Sequence, residues 1–170
     1  MGANDELTGW FAGRIPKDWF TGAPEVRADR DEVWVIGTLP DVQLPSDAGP
    51  EAANAARSGR IKQHREDTRE LRIKISEEAQ RRFGRAVSWG ARCGDAREMF
   101  THLAVPAMTR LRLPEREVLD ALVDSGVARS RAHALAWCVR LVEKNEKEWL
   151  TELREAIAKV GQVRNQGPLN

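Results

Sequence analysis

The spacing of apolar residues changes several times along the chain, and each change predicts an element. Val33, Trp34, Val35 and Ile36 form an unbroken β-branched and aromatic run ending at Gly37, which predicts a buried strand over about 33–37. Before it, Trp10, Phe11, Ile15, Trp19 and Phe20 are interrupted by Gly and Pro, so residues 1–30 read as loop and short turns around an aromatic cluster that packs into a core. Pro40, Pro45, Gly49 and Pro50 mark a loop. Residues 51–69, rich in Ala, Arg and Glu, predict a helix that Gly59 weakens by about 1 kcal/mol. Leu71, Ile73 and Ile75 alternate with Arg72 and Lys74, which predicts a strand over about 70–75. Ser76 then suits an N-cap and Glu77 and Glu78 a first helical turn, so a helix is expected over about 76–90. The competing reading, one long helix over 51–83, is disfavoured by that alternation and that cap. Cys93-Gly94-Asp95 reads as a turn, and residues 100–105 as a further strand or part of a helix.

From residue 108 the pattern becomes more regular. Met108 to Leu113 alternate, with Thr109, Leu111 and Leu113 on one face and Met108, Arg110 and Arg112 on the other. Pro114 can open a helix, and Glu115 and Glu117 suit its positive end. Val118, Leu119, Leu122 and Val123 form an apolar stripe that Ser125 and Gly126 end. Ser130 is a good N-cap for a second helix, whose inner side is Leu135, Cys138, Val139 and Val142. Trp149, Leu150, Leu153, Ile157 and Val160 continue a helical stripe, which Gly161 and the NQGPLN tail are expected to end. The expected organisation is a mixed region 1–107, a unit 108–145 and a helical extension with tail over 146–170.

Composition narrows the classes. The chain has 170 residues, 41% hydrophobic and 31% charged, with six Trp, which excludes a disordered polymer. No window approaches the roughly 18 apolar residues of a membrane span. The first ten residues lack a basic start and an apolar core, and Gly2 lacks the Ser or Thr of a myristoylation motif. A cytoplasmic protein with no membrane or lipid anchor is expected. The formal charge of +1 hides an uneven distribution: residues 1–49 are acidic, whereas 50–113 are basic. A basic centre permits nucleic acid as a partner, although charge alone does not decide it. Cys93 and Cys138 offer neither a disulfide framework nor a CxxC half-site, and the three His share no metal spacing with them. GARCGD lacks the Lys-Ser/Thr of a phosphate loop, and Cys93 with His102 has no third group, so no catalytic residue, metal or cofactor is expected. His64 reads as a surface or core histidine.

Residues 109–142, TRLRLPEREVLDALVDSGVARSRAHALAWCVRLV, resemble the ribbon-helix-helix family of the MetJ and Arc type. The likeness lies in LRLP before an amphipathic helix, a Gly-containing turn, and SRAHAL opening the next helix. It covers about a fifth of the chain. The resemblance implies an α+β fold whose C-terminal part is a ribbon-helix-helix-like dimerisation unit, with a small mixed α+β part before it. Two copies of the strand would pair antiparallel and enter the major groove of double-stranded DNA. Met108, Arg110 and Arg112 would then face base edges, while Arg129, Ser130 and Arg131 would meet phosphate. Leu111, Leu113, Leu119, Leu122, Leu135, Cys138, Val139 and Val142 would form the core of the homodimer. The expectation is a non-enzymatic bacterial transcriptional regulator. The alternative is a structural adaptor that only dimerises through this fold and binds a protein through its Trp-rich N-terminal region.

Overall fold

The computed structural model describes residues 3–45 and 47–166. Gly2 and the last four residues of the expected tail lie outside the described residues. The chain divides into two compact units, Met1–Pro106 and Ala107–Asn170. Together the described residues form four strands and six helices in a mixed α+β architecture. No helix among them is long and apolar enough to cross a membrane.

The first unit is built on one four-stranded sheet, in the order β1 (Glu25–Ala28), β2 (Glu32–Thr38), β3 (Ala86–Cys93), β4 (Ala96–Met99). β1 and β2 form an antiparallel hairpin, and Asp29 Oδ1 closes its turn by accepting from the backbone N–H groups of Asp31 and Glu32, both at 2.8 Å. β2 and β3 are parallel, with Val35 opposite Trp89, and β3 and β4 are antiparallel around Gly94 at φ +52°. A parallel pair needs a long crossover, and this one carries two helices, α2 (Pro50–Asp67) and α3 (Arg69–Phe83). A further helix, α1 (Ala3–Arg14), precedes the sheet.

Period-two alternation puts Val33, Val35, Trp89, Ala91 and Cys93 on one sheet face. Leu7 and Phe11 on α1, with Ile15 just beyond it, recur every four residues and pack with Val33, Val35 and Trp89. Ile75 and Ala79 of α3 complete that cluster, and Ile61 of α2 joins Leu39, Ala91 and Cys93 in a second. Trp10, Trp19 and Phe20 lie partly buried against this core rather than outward.

Several expectations are corrected here. Residues 1–30 are not loop alone, because they contain α1 and β1. Residues 70–75 are helical, not a strand: Leu71, Ile75 and Ala79 lie at helical steps on the packed face, while Ile73 is 49% exposed. The near-continuous helix over 51–83 that the alternation argued against is closer to what forms, broken only at Thr68. Ser76 sits inside α3, its hydroxyl donating to Arg72 O and accepting from Trp89 Nε1. The helix expected to 90 ends at Phe83, where Gly84 takes the left-handed conformation at φ +68°. Residues 86–90 belong instead to β3, at the centre of the sheet, where β2 and β4 satisfy its backbone on both sides. Residues 100–105 form no strand. The side chains from Thr101 to Arg110 are all exposed, so no packed face holds them in a sheet.

The second unit is helical. It comprises α4 (Leu113–Asp124), α5 (Arg131–Asn145) and α6 (Lys147–Gln166). Leu119, Ala128 and Ala134 are its buried centre, with Leu111, Leu122, Val123, Leu135 and Cys138 packed around them. Gly126, at φ +77°, turns the chain between α4 and α5. α6 does not stop at Gly161 but continues to Gln166.

Candidate nucleic-acid interface

The segment before α4 is extended and solvated. Met108 is 99% exposed, and Arg110 and Arg112 are exposed too. Leu111 alone turns inward onto the core of the unit. Residues 108–112 have no regular structure in the single chain, and Leu113 is the first residue of α4 rather than the last of a strand. Pro114 explains the early start, since its fixed φ favours the first helical turn. Arg112 caps the helix in extended geometry, and its backbone N–H donates to the Glu115 carboxylate. Arg116 Nη1 donates to Leu111 O at 2.7 Å, which ties the extended segment to α4. Among the described residues, no backbone hydrogen bond is made by Ala107 to Arg110, so this stretch presents a free strand-like edge.

The turn into α5 places the three residues expected at phosphate. Ser130 is an N-cap, its Oγ accepting from His133 N at 3.2 Å. The Arg129 backbone N–H donates to His133 Nδ1 at 3.3 Å, and its guanidinium is exposed. Arg131 differs from expectation: its Nε and Nη2 donate to both Asp120 carboxylate oxygens at 2.6 Å. That pairing holds the Asp120 carboxyl below its usual range. A phosphate would have to compete with Asp120 for this guanidinium.

The residues expected in a dimer core fall into two groups. Leu119 is buried, and Leu111, Leu122, Leu135 and Cys138 are half-buried within the unit. Leu113, Val139 and Val142 are 60%, 64% and 46% exposed in the single chain. The stripe Trp149, Leu153, Ile157, Val160 and Val163 on α6 is exposed as well.

The remaining sequence candidates do not assemble a reactive site. Cys93 is fully buried, and burial and the nearby Asp41 push its thiol up, which keeps it protonated. His102 is exposed and makes no contact with it. Among the described residues, no group of three or more His, Cys, Asp or Glu is placed to hold a metal ion. Sequence reading missed a basic face formed by Lys62, Arg65, Arg69 and Arg72. Their spacing of three to four residues is the helical signal, and reading 70–75 as a strand hid it.

These features define an α+β protein with a sheet-based first unit and a helical second unit behind a solvated basic segment. The chain belongs to the Rv1265-like family: the model of the Rv1265-like protein N-terminal domain matches residues 5–99, and that of the Mb1296 C-terminal domain matches residues 112–164. It is 55% identical over 160 residues to the protein Mb1296 of Mycobacterium bovis and, equally, to Rv1265 of Mycobacterium tuberculosis. Each alignment covers 94% of this chain and 69% of the relative. No solved structure matches the chain.

Proposed function

We propose that this chain is a dimeric, sequence-specific DNA-binding protein of ribbon-helix-helix type that acts as a transcriptional regulator. The observation that carries the reading is the solvated segment before α4. Among the described residues its backbone from Ala107 to Arg110 has no partner, its Leu111 side chain packs onto the core, and Met108, Thr109, Arg110 and Arg112 are exposed. An unpaired extended edge is a template for a second strand, and a second copy supplies an identical one. The paired segments would form a ribbon that fits the major groove, with Arg110 and Arg112 aimed at guanine O6 and N7. Arg129 and the free N–H groups opening α5 would hold phosphate. The exposed Leu113, Val139 and Val142 give the second copy apolar surface to cover.

Selection of genomic DNA fragments by the purified protein at two salt concentrations tests this. Enriched fragments and salt-weakened binding are expected. Arg110→Ala and Arg112→Ala should each cost about 1–3 kcal/mol on the selected fragment and relax its sequence preference. Unchanged preference in both variants removes the ribbon. A dimer whose DNA titration stays flat at low salt supports the adaptor reading instead. That reading has one observation in its favour, the exposed apolar stripe on α6. In the Trp-rich N-terminal region, Trp10, Trp19 and Phe20 are partly buried against the core of the first unit.

A further inference from the structure

The face that α2 and α3 share with the end of β4 encloses an open cleft of about 670 Å³ in the first unit. That volume suits a small molecule. Lys62, Arg65, Arg69 and Arg72 line it, with Phe100 beside them. Two carboxylates, Glu66 and Glu98, also line it, yet neither forms an ion pair with any of the four cations. The excess is therefore two positive charges within one cleft.

Arg72 is the unusual member. It is only 8% exposed, and a buried guanidinium is ordinarily matched by an acid. Here its Nε donates to Thr68 Oγ1 at 3.0 Å and its Nη2 to Arg65 O at 2.6 Å. Its planar face lies 4.8 Å from the centre of the Phe100 ring. Neutral acceptors and a ring orient the group without neutralising it, and its Nη1 has no protein acceptor among the described residues. Burial, then the charges of Arg65 and Arg69, lower its pKa to about 10. The cations repel one another, and among the described residues no ion pair neutralises any of them. Arg65 also lies over Phe100, at 5.8 Å, so the ring positions two guanidinium groups together.

We infer that this cleft binds a small phosphate ester, its phosphate held by Arg72 Nη1, Arg65, Arg69 and Lys62. Guanidinium N–H groups lining one cleft, two of them beside the same ring, match phosphate oxygens in geometry and charge. The site lies wholly within the first unit and does not depend on the ribbon reading. A nucleic-acid backbone carries the same chemistry, so the test separates the two sources.

The full chain is titrated calorimetrically, in buffer free of phosphate, with pyrophosphate, ribose 5-phosphate, ribose and a short DNA duplex. Saturable heat with ribose 5-phosphate or pyrophosphate, and none with ribose, is expected. Arg69→Ala and Arg65→Ala remove exposed side chains, and each should weaken that binding by about tenfold or more. A thermal melt of each variant confirms that it is folded. Arg72→Lys keeps the charge but loses the fork, and should also weaken binding. Absence of heat from both phosphate-bearing probes overturns the inference, as do equal affinities for ribose and its phosphate or an unaltered affinity in Arg69→Ala. If only the duplex binds, and Arg69→Ala weakens it, the cleft contacts a nucleic-acid backbone and the small-ligand assignment falls.

Discussion

His64 gives the sharpest quantitative prediction. Its ring lies among Phe20, Trp19 and Phe100, with centroids at 5.3, 5.7 and 6.4 Å, and its buried Nε2 has no hydrogen-bond partner. Burial foremost, then the charges of Arg72 and Arg60, lower its pKa from 6.5 to about 4, with Asp67 opposing weakly. The folded chain therefore refuses a proton that the unfolded chain accepts near pH 6.5. Stability is fully present above that pH and is lost as pH falls toward 4, below which His64 costs nothing more. At about 1.4 kcal/mol per pH unit, the gap between the two values amounts to about 3 kcal/mol. Residual solvent contact of this half-buried ring reduces the expectation to about 2 kcal/mol. Carboxylates stabilised by their partners, such as Asp41 at about 2, act at lower pH and leave the upper window to His64. Urea unfolding followed by Trp fluorescence, at pH 7.5, 6, 5 and 4.5, reads the slope; Trp10, Trp19, Trp34 and Trp89 report on the first unit. His64→Leu replaces an unpartnered polar ring with an apolar side chain. It should be neutral or stabilising at pH 6 and should flatten the slope. Equal pH dependence in the variant and the parent chain would refute the argument.

Three further outcomes follow from packing. A Cβ at Gly37 would lie 2.1 Å from the Phe20 ring, so Gly37→Ala should destabilise the first unit by about 1–3 kcal/mol, read as a lower thermal midpoint; an unchanged midpoint means the ring moves freely. Leu119 is 5% exposed at the centre of the second unit, and Leu119→Ala should cost about 2–5 kcal/mol. That loss should melt helical circular dichroism while Trp89 fluorescence stays native, and simultaneous loss of both signals counts against two separate units. Leu153→Ser with Val160→Ser touches only exposed side chains, so it should leave the monomer folded and weaken self-association in sedimentation; an unaltered dimer excludes the α6 stripe from the interface.

The ion pairs of the first unit tie its elements together without carrying much of its stability. Arg14 makes a bidentate pair with Glu78 at 2.6 and 2.8 Å, linking α1 to α3. Arg57 pairs with Asp41 at 2.7 Å beside the buried Cys93 thiol. These groups lie at the surface, where solvent and salt weaken such pairs. They fix orientation, and the apolar clusters around Trp89 and Ile61 supply the driving force.

Local chemistry made some elements legible in the sequence. The β-branched run at 33–36 lies in a strand because those side chains suit a pleated, buried surface. Ser130 caps α5, Pro114 opens α4 and Gly126 turns between them, each for a reason contained in a few neighbouring residues. The alternation expected over 108–113 holds only at Leu111, which packs inward; Thr109 and Leu113, expected on its side, are exposed with Met108, Arg110 and Arg112, because no strand forms in the single chain to hold two faces apart. What the sequence could not decide was which of two local periods would win. Leu71, Ile73 and Ile75 alternate as a strand would, yet Leu71, Ile75 and Ala79 also fit a helix. The core of Phe11, Val33 and Trp89 selects the helix by burying Ile75 and Ala79 and leaving Ile73 in solvent. Residues 86–90 likewise continue a helical stripe on paper, but become a strand because β2 and β4 offer backbone partners on both sides. The cleft around Arg72 depends on that outcome. Lys62, Arg65, Arg69 and Arg72 share a face only if the chain from 50 to 83 is helical, and Phe100, distant in sequence, reaches them only through the sheet. Periodicity is a property of neighbours, whereas burial belongs to the whole fold, and only the fold sets which period is satisfied.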